Sequence, residues 1–267
     1  TVGVSSIASL IIGIAMFGGL ASLPLYLQIV KGSTPTQAGL QLLPLTLGIM
    51  AGSIFSGQVI SRTGRYRIFP VIGAALLTAS LFVFHWIAYD TPLWQTMLVM
   101  VVFGLGLGFN FQPLTLAVQN AVPPQQIGVA TSTATFTRQM GGTIGTAVFL
   151  TILFSTVPDK ITAAFGRYAP TPEFQAALKD PANAAFAEQL QAAQGSGSAA
   201  ASGVLSDSSF LTTLDERLAK PFLVGFSESM DLVFLVGAGV MVFGFLVMLL
   251  LPEVELRSGS GYDERAQ

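Results

Sequence analysis

Residues 57–67 read G-Q-V-I-S-R-T-G-R-Y-R, three arginines in one short polar interruption between two long apolar runs. Leu40 to Ile60 upstream and Phe69 to Phe84 downstream carry no charged residue, and each run approaches the roughly 20 residues a helix needs to cross a bilayer. The arginine stretch is therefore a loop at a membrane face. Short loops rich in Lys and Arg stay on the cytoplasmic side, so Arg62, Arg65 and Arg67 set the direction of the neighbouring helices.

Composition points the same way: 52% of residues are hydrophobic and 10% charged, with a mean hydropathy of +0.67. These values belong to an integral membrane protein in a lipid bilayer, not to a soluble domain. A net charge of −2 gives no sign of a nucleic-acid partner. The chain has no cysteine, which removes disulfides, thiol catalysis and Cys-based metal sites, and its single histidine, His85, leaves no zinc constellation. It opens at Thr1 directly on an apolar segment without a basic n-region, and reads as a fragment of a longer polypeptide.

Hydropathy predicts an all-α membrane protein of six spans. The first, Val4 to Val30, contains Pro24 and should kink there; a membrane helix tolerates this where neighbours or a cavity satisfy the freed carbonyl. The turn Lys31 to Gln37 follows. The second span, Leu40 to Ile60, holds Pro44 and the small residues Gly48, Gly52, Ser56 and Gly57, a spacing that lets helix backbones approach. The third, Phe69 to Ala88, and the sixth, Asp231 to Leu251, are apolar all round and are expected to face lipid. The fourth, Leu93 to Val118, carries Gly104, Gly106 and Gly108 ahead of Asn110, Gln112 and Pro113; the fifth, Gly128 to Val157, carries Arg138, Gln139, Gly141, Gly142 and Gly145.

An even number of crossings puts the arginine loop and the C-terminus on one face. The expected organisation is five helices over residues 1–157, an extracytoplasmic loop over 158–227, a last helix over 228–252 and a cytoplasmic tail over 253–267. Within the loop, Phe174 to Gln194 and Phe210 to Leu218 have helical apolar spacing, joined by the flexible-linker composition of Gly195 to Gly203. Glu228 and Asp231 are expected to cap the start of the last helix, where carboxylates favour the positive end of the dipole.

The stretch Gly57 to Arg65 resembles the major facilitator loop signature, matching at Gly57, Arg62, Gly64 and Arg65; Ser61 stands where the signature has an acidic residue and Tyr66 where a second basic residue is usual. The stretch from Leu23 to Pro44, L-A-V-Q-N-A-V-P from Leu116, and F-T-R-Q-M-G-G-T-I-G-T-A-V from Phe136 resemble the 14-helix drug:proton antiporter branch of that superfamily. The resemblance implies that the chain is the C-terminal bundle of a multidrug efflux transporter. It also implies that the third and sixth helices stand at the lipid periphery, that the first and fourth line a central cavity, and that the partner is the transporter's N-terminal bundle. No cofactor is implied; a proton gradient supplies the energy and the substrate is a small molecule.

Each candidate residue has a plainer rival. Arg138 is the charge deepest within a span, and such a charge costs about 2.5 to 3.5 kcal/mol at a helix centre, so it needs a polar cavity or a partner; helix packing is the rival. Tyr26, Gln28, Asn110, Gln112 and Gln139 are assigned with Arg138 to a substrate pathway, although membrane amides also join helices. Gly104, Gly106, Gly108, Gly141, Gly142 and Gly145 are assigned to close packing; the first three lack the preceding strand and following acid of a nucleotide loop. His85 beside Trp86 reads as interfacial. The arginine loop is either a bundle contact or simply a topological anchor. No carboxylate pair or nucleophile with a base occurs in the predicted spans, so an enzyme would lack its chemistry. A secondary transporter is the leading expectation, with proton-coupled export of hydrophobic or cationic drugs ahead of a carrier for another solute or a non-transporting scaffold.

Overall fold

The computed structural model describes residues 2–192, 211 and 214–250. The Gly195 to Gly203 linker and the C-terminal tail lie outside the described residues. Among these, every regular element is helical, and six helices are long and apolar enough to cross a membrane. In chain order they are α1 (Val2–Ile29), α2 (Pro35–Gln41), α3 (Leu43–Thr63), α4 (Ile68–His85), α5 (Leu93–Asn120), α6 (Ile127–Tyr168), α7 (Pro172–Leu178), α8 (Ala184–Ala192) and α9 (Glu216–Leu249), with 3₁₀ turns at Pro124–Gln126 and Pro181–Asn183.

Helix α1 continues as one helix through Pro24. The second span is corrected: it does not run unbroken from Leu40. Thr34 closes a capping box with Gln37 and starts the short α2, and Pro44 lies in the first turn of α3, where its missing N–H costs nothing. The predicted turn Lys31 to Gln37 therefore ends in helix. Helix α3 stops at Gly64, whose φ of 71° is left-handed and whose N–H bonds the Ile60 carbonyl at 2.8 Å; glycine enters this region without the Cβ penalty.

The larger correction concerns residues 158–227, expected as a loop. Helix α6 runs 42 residues, through Pro158 to Tyr168, and α9 begins at Glu216. At 1.5 Å per residue α6 is ~63 Å long, about twice the hydrocarbon thickness, so its C-terminal part and the first turns of α9 project together beyond the bilayer. Amphipathic packing holds this projection: Val157, Ile161, Ala164 and Phe165 are buried on α6, Leu218, Phe222, Gly225 and Phe226 on α9. The Phe165 and Phe222 rings meet edge to face at 4.9 Å. Phe174 of α7 and Phe186 of α8 close over them, at 6.0 Å from Phe165 and 6.2 Å from Phe222. Predicted as a single helical stretch, Phe174 to Gln194 is broken by the 3₁₀ turn into α7 and α8.

Glu228 and Asp231 do not cap α9. Asp215 does, accepting from the Arg217 N–H at 2.9 Å. Glu228 lies inside the helix and pairs with Arg167 of α6 at 2.6 Å, with Lys160 at 3.9 Å. Asp231 is interior as well, and its carbonyl lies 3.3 Å from His85 Nδ1 on α4. Helix α9 thus carries Glu216, Glu228 and Asp231 in its N-terminal half, where the predicted sixth span had Asp231 only at its first position.

In the membrane part, α1 packs on α6, α3 on α5, and α4 between α5 and α9. Phe84 of α4 stacks on Phe234 of α9 at 5.0 Å. The span through α2 and α3 has 22% of its most apolar window buried and that of α6 has 33%, against 44% to 61% for the other four. The least covered spans are therefore the second and fifth. A helix apolar on all sides suits a packed interior as well as lipid, so α4 and α9 each bury nearly half of their window inside the chain.

Candidate functional site

Two seams of small residues bring the helices to backbone contact. On α5, Gly104 and Gly108 meet Gly48 and Gly52 of α3, whereas Gly106 meets Gly73 and Leu77 of α4. Residues four apart share a helix face and a residue midway between them does not, so alternate glycines serve different neighbours. On α6, Gly141 lies against the Leu10 backbone, Gly145 against Ile14 and Gly142 under the Phe17 ring, all on α1; across the same seam Gly13 faces the Arg138 carbonyl.

This α1–α6 seam places the Arg138 side chain. Its guanidinium carbon lies 5.2 Å from the centre of the Phe111 ring of α5, within cation–π range. The side chain is half-buried and makes no hydrogen bond or ion pair among the described residues. From the next residue of α6 onward, Gln139, Gly142, Thr143 and Thr146 join Phe17 of α1 around an open cavity of about 410 Å³ that Arg138 itself does not line. Gln139 and Gln112 are exposed. A cation over an aromatic face, with no ion pair among the described residues, can receive an anionic or hydrogen-bonding group.

The other predicted pathway residues lie elsewhere. Asn110 is fully buried; its Nδ2 donates to the Gly106 carbonyl at 2.7 Å and abuts Gly73, so it belongs to the α4–α5 contact and not to the open face. Tyr26 is buried at the opposite end of the bundle from the arginine loop, and its hydroxyl donates to the Ala88 carbonyl at 3.3 Å. Gln28, near it in α1, is half-buried. Gln119 donates to Thr131 Oγ1 at 3.0 Å, joining α5 to α6.

In the arginine loop, Arg62 and Arg65 are exposed, Gly57 has open space around it and Gly64 is the helix cap already described. Arg67 makes the structural contact: its Nη2 donates to the Leu249 carbonyl at 2.7 Å, a cation at the negative end of α9. That bond puts the arginine loop and the end of α9 at one end of the bundle. Tyr66, in place of a basic residue, is fully buried.

Sequence reasoning passed over Phe17, Thr143 and Thr146. Thr143 was within reach, since it follows Gln139 by four residues on the same helix face; Phe17 comes from another helix and carries no such signal.

Six helices among the described residues, each long and apolar enough to cross a membrane, define a multi-pass integral membrane protein. The chain belongs to the Major Facilitator Superfamily, whose family profile matches residues 4–146. It is 32% identical over 264 residues to a tetracycline resistance determinant of Streptomyces rimosus, covering 96% of this chain and 73% of that protein. It is 34% identical to an uncharacterized MFS-type transporter of Mycobacterium tuberculosis, covering 95% of this chain and 32% of the relative. Over 156 residues it is 29% identical to the efflux pump aflT of Aspergillus parasiticus, covering 58% of this chain and 30% of that one.

Proposed function

We propose that the chain is one six-helix bundle of a secondary active transporter that exports hydrophobic or cationic drugs in exchange for protons. Arg138 carries the transport part of the reading; the drug class and the coupling to protons rest on the sequence resemblance. A guanidinium kept in a membrane helix without an ion-pair partner is costly, and a substrate path offsets that cost where simple packing would not. The names of the relatives, a tetracycline resistance determinant and an efflux pump, support export. Helices α3 and α6, the least covered spans, are the faces a second bundle would close, and rocking of two bundles about a midplane site gives alternating access. That second bundle is the N-terminal half of the same transporter; the proton gradient is the energy source and no cofactor takes part. The membrane is the plasma membrane, with the arginine loop and C-terminus cytoplasmic and the α6–α9 projection outside.

Orientation is tested first. The protein has no cysteine of its own, so Ser61→Cys should resist an impermeant thiol reagent in intact cells and react after lysis; labelling from outside would invert the assignment. For activity, the chain is reconstituted in liposomes with an acidic lumen and uptake of a fluorescent cationic dye is followed. Gradient-dependent uptake is expected when it is co-expressed with an N-terminal six-helix bundle of a related transporter, and no uptake from the chain alone. Uptake by the chain alone overturns the two-bundle reading, and gradient-independent behaviour with the partner present overturns proton coupling.

A further inference from the structure

At the end of the bundle opposite the arginine loop, the first turns of α9, the start of α7 and the loops after α1 and α4 enclose a cavity of about 660 Å³. This is in the size range of sites for drug-sized molecules. Tyr89, Tyr168 and Phe174 supply its aromatic walls. Three basic residues reach it, and two are committed. Arg217 donates to both oxygens of Asp215, at 3.0 and 2.7 Å, which holds that carboxyl down at about 2. Lys31 Nζ donates to the Tyr89 and Thr91 carbonyls, each at 2.7 Å.

The third is Lys220. Its ammonium sits 5.0 Å from the centre of the Tyr168 ring and 6.0 Å from that of Tyr89, and it makes no ion pair among the described residues. Three carboxylates border the same space, Asp90, Glu173 and Glu216, and they too make no ion pair among the described residues. The cavity thus has two tyrosine rings already met by a cation, and a rim of carboxylates that make no direct ion pair among the described residues, Asp90 lying in the field of Lys31 and Glu173 in that of Arg217 and Lys220.

We propose that this cavity is a binding site for an organic cation bearing apolar groups, and that Lys220 fills its aromatic seat as a tethered stand-in. Tyrosine faces attract ammonium-type groups through the ring quadrupole, and Phe174 with Leu223 offers apolar wall to the rest of the ligand. An anion would meet Asp90, Glu173 and Glu216; a cation has Lys220, a flexible side chain, to displace, while the charge of Lys31 is offset by Asp90 and that of Arg217 by Asp215. The site shares no residue with the Arg138 face and does not depend on the chain's being an exporter.

The test is equilibrium dialysis of the purified 267-residue chain against radiolabelled tetraphenylphosphonium, with empty detergent micelles subtracted. Saturable binding is expected in the parent chain. Removing the competitor and its charge in Lys220→Ala, or in Lys220→Met, which keeps most of the stem, should tighten it ~10-fold, the scale of one desolvated cation–π contact. In the Lys220→Ala background, Tyr168→Phe should bind as tightly and Tyr168→Leu should lose most of the gain, while a melting curve like that of the parent shows the fold intact. Unchanged or weaker binding in both Lys220 variants, or full affinity in Tyr168→Leu, overturns the proposal. Tighter binding of an anionic dye than of the cation by the parent chain overturns it as well.

Discussion

Arg138→Ala should abolish transport by the assembled two-bundle protein while leaving the amount of membrane-inserted protein unchanged. The side chain stands on a helix fixed by glycine contacts to α1 and reaches over Phe111, with no ion pair among the described residues. Holding a guanidinium in this setting costs up to about 2.5 to 3.5 kcal/mol, so its removal relieves the bundle. Thermal stability in detergent should stay level or rise as transport falls. Arg138→Lys should recover part of the activity, because an ammonium keeps the charge and loses the planar fork that stacks and donates in pairs. Phe111→Leu should weaken transport less than Arg138→Ala, since it withdraws one cation–π contact of about 0.5 to 2 kcal/mol. If Arg138→Ala transports normally and melts lower than the parent, the arginine is a packing residue and the assignment of this face fails.

Gly141→Ala should destabilise the chain strongly. A Cβ there would overlap the Leu10 backbone, with Leu10 Cα at 3.0 Å, and backbone cannot swing aside as a side-chain tip does. The α1–α6 pair would have to separate, carrying Gly13, Gly142 and Gly145 out of contact with it. Overpacking of a tight interior costs about 1–3 kcal/mol, here without a rotamer to absorb it. Gly128 is the control: it lies on the same helix with open space where its Cβ would go, and Gly128→Ala should be neutral or stabilise by up to ~1 kcal/mol. Melting curves of the two variants in detergent decide the matter, and equal midpoints would show that the seam is not tight.

What could be read from sequence depended on whether the signal lay along one helix or between helices. The six spans were legible because long uncharged runs separated by polar turns admit little else in a bilayer. Their ends were less so. Hydropathy closed the fifth span at Val157 and opened the sixth at Asp231, because Pro158, Asp159 and Lys160 on one side and Glu228 on the other look like solvent. Yet Ile161, Ala164 and Phe165 continue the apolar face of α6, and Leu218, Phe222 and Phe226 answer it on α9. A reading by period in place of mean hydropathy would have followed both helices out of the membrane.

The candidate site divides in the same way. Arg138 stood out as a charge within an apolar helix, and Gln139 and Gln112 lie exposed. Asn110 was misread because polarity shows that a membrane amide needs a partner without showing which side of the helix supplies it; the Gly106 carbonyl, one turn back, does so. Lys220, Tyr89 and Tyr168 could not be grouped from sequence at all, since they come from three separate segments. The exposure of α3 and α6 was equally hidden, because an apolar helix face suits lipid, a neighbouring helix or a missing partner alike.

The length of α6 and α9 has a mechanical consequence. Both run without interruption from the membrane into the projection, and Phe165, Phe222 and the Arg167–Glu228 bond clamp them together there. The projection, roughly 25 Å long, is therefore held together as one unit, with a proline in each helix, Pro158 and Pro221. A tilt of ~10° at its base displaces the tip by ~4 Å by the geometry of a rigid rod with that rise per residue. Tyr168 and Lys220 ride on this unit, whereas Tyr89 belongs to the α4–α5 turn, so small rotations deep in the bilayer arrive at the surface magnified into changes of spacing between them.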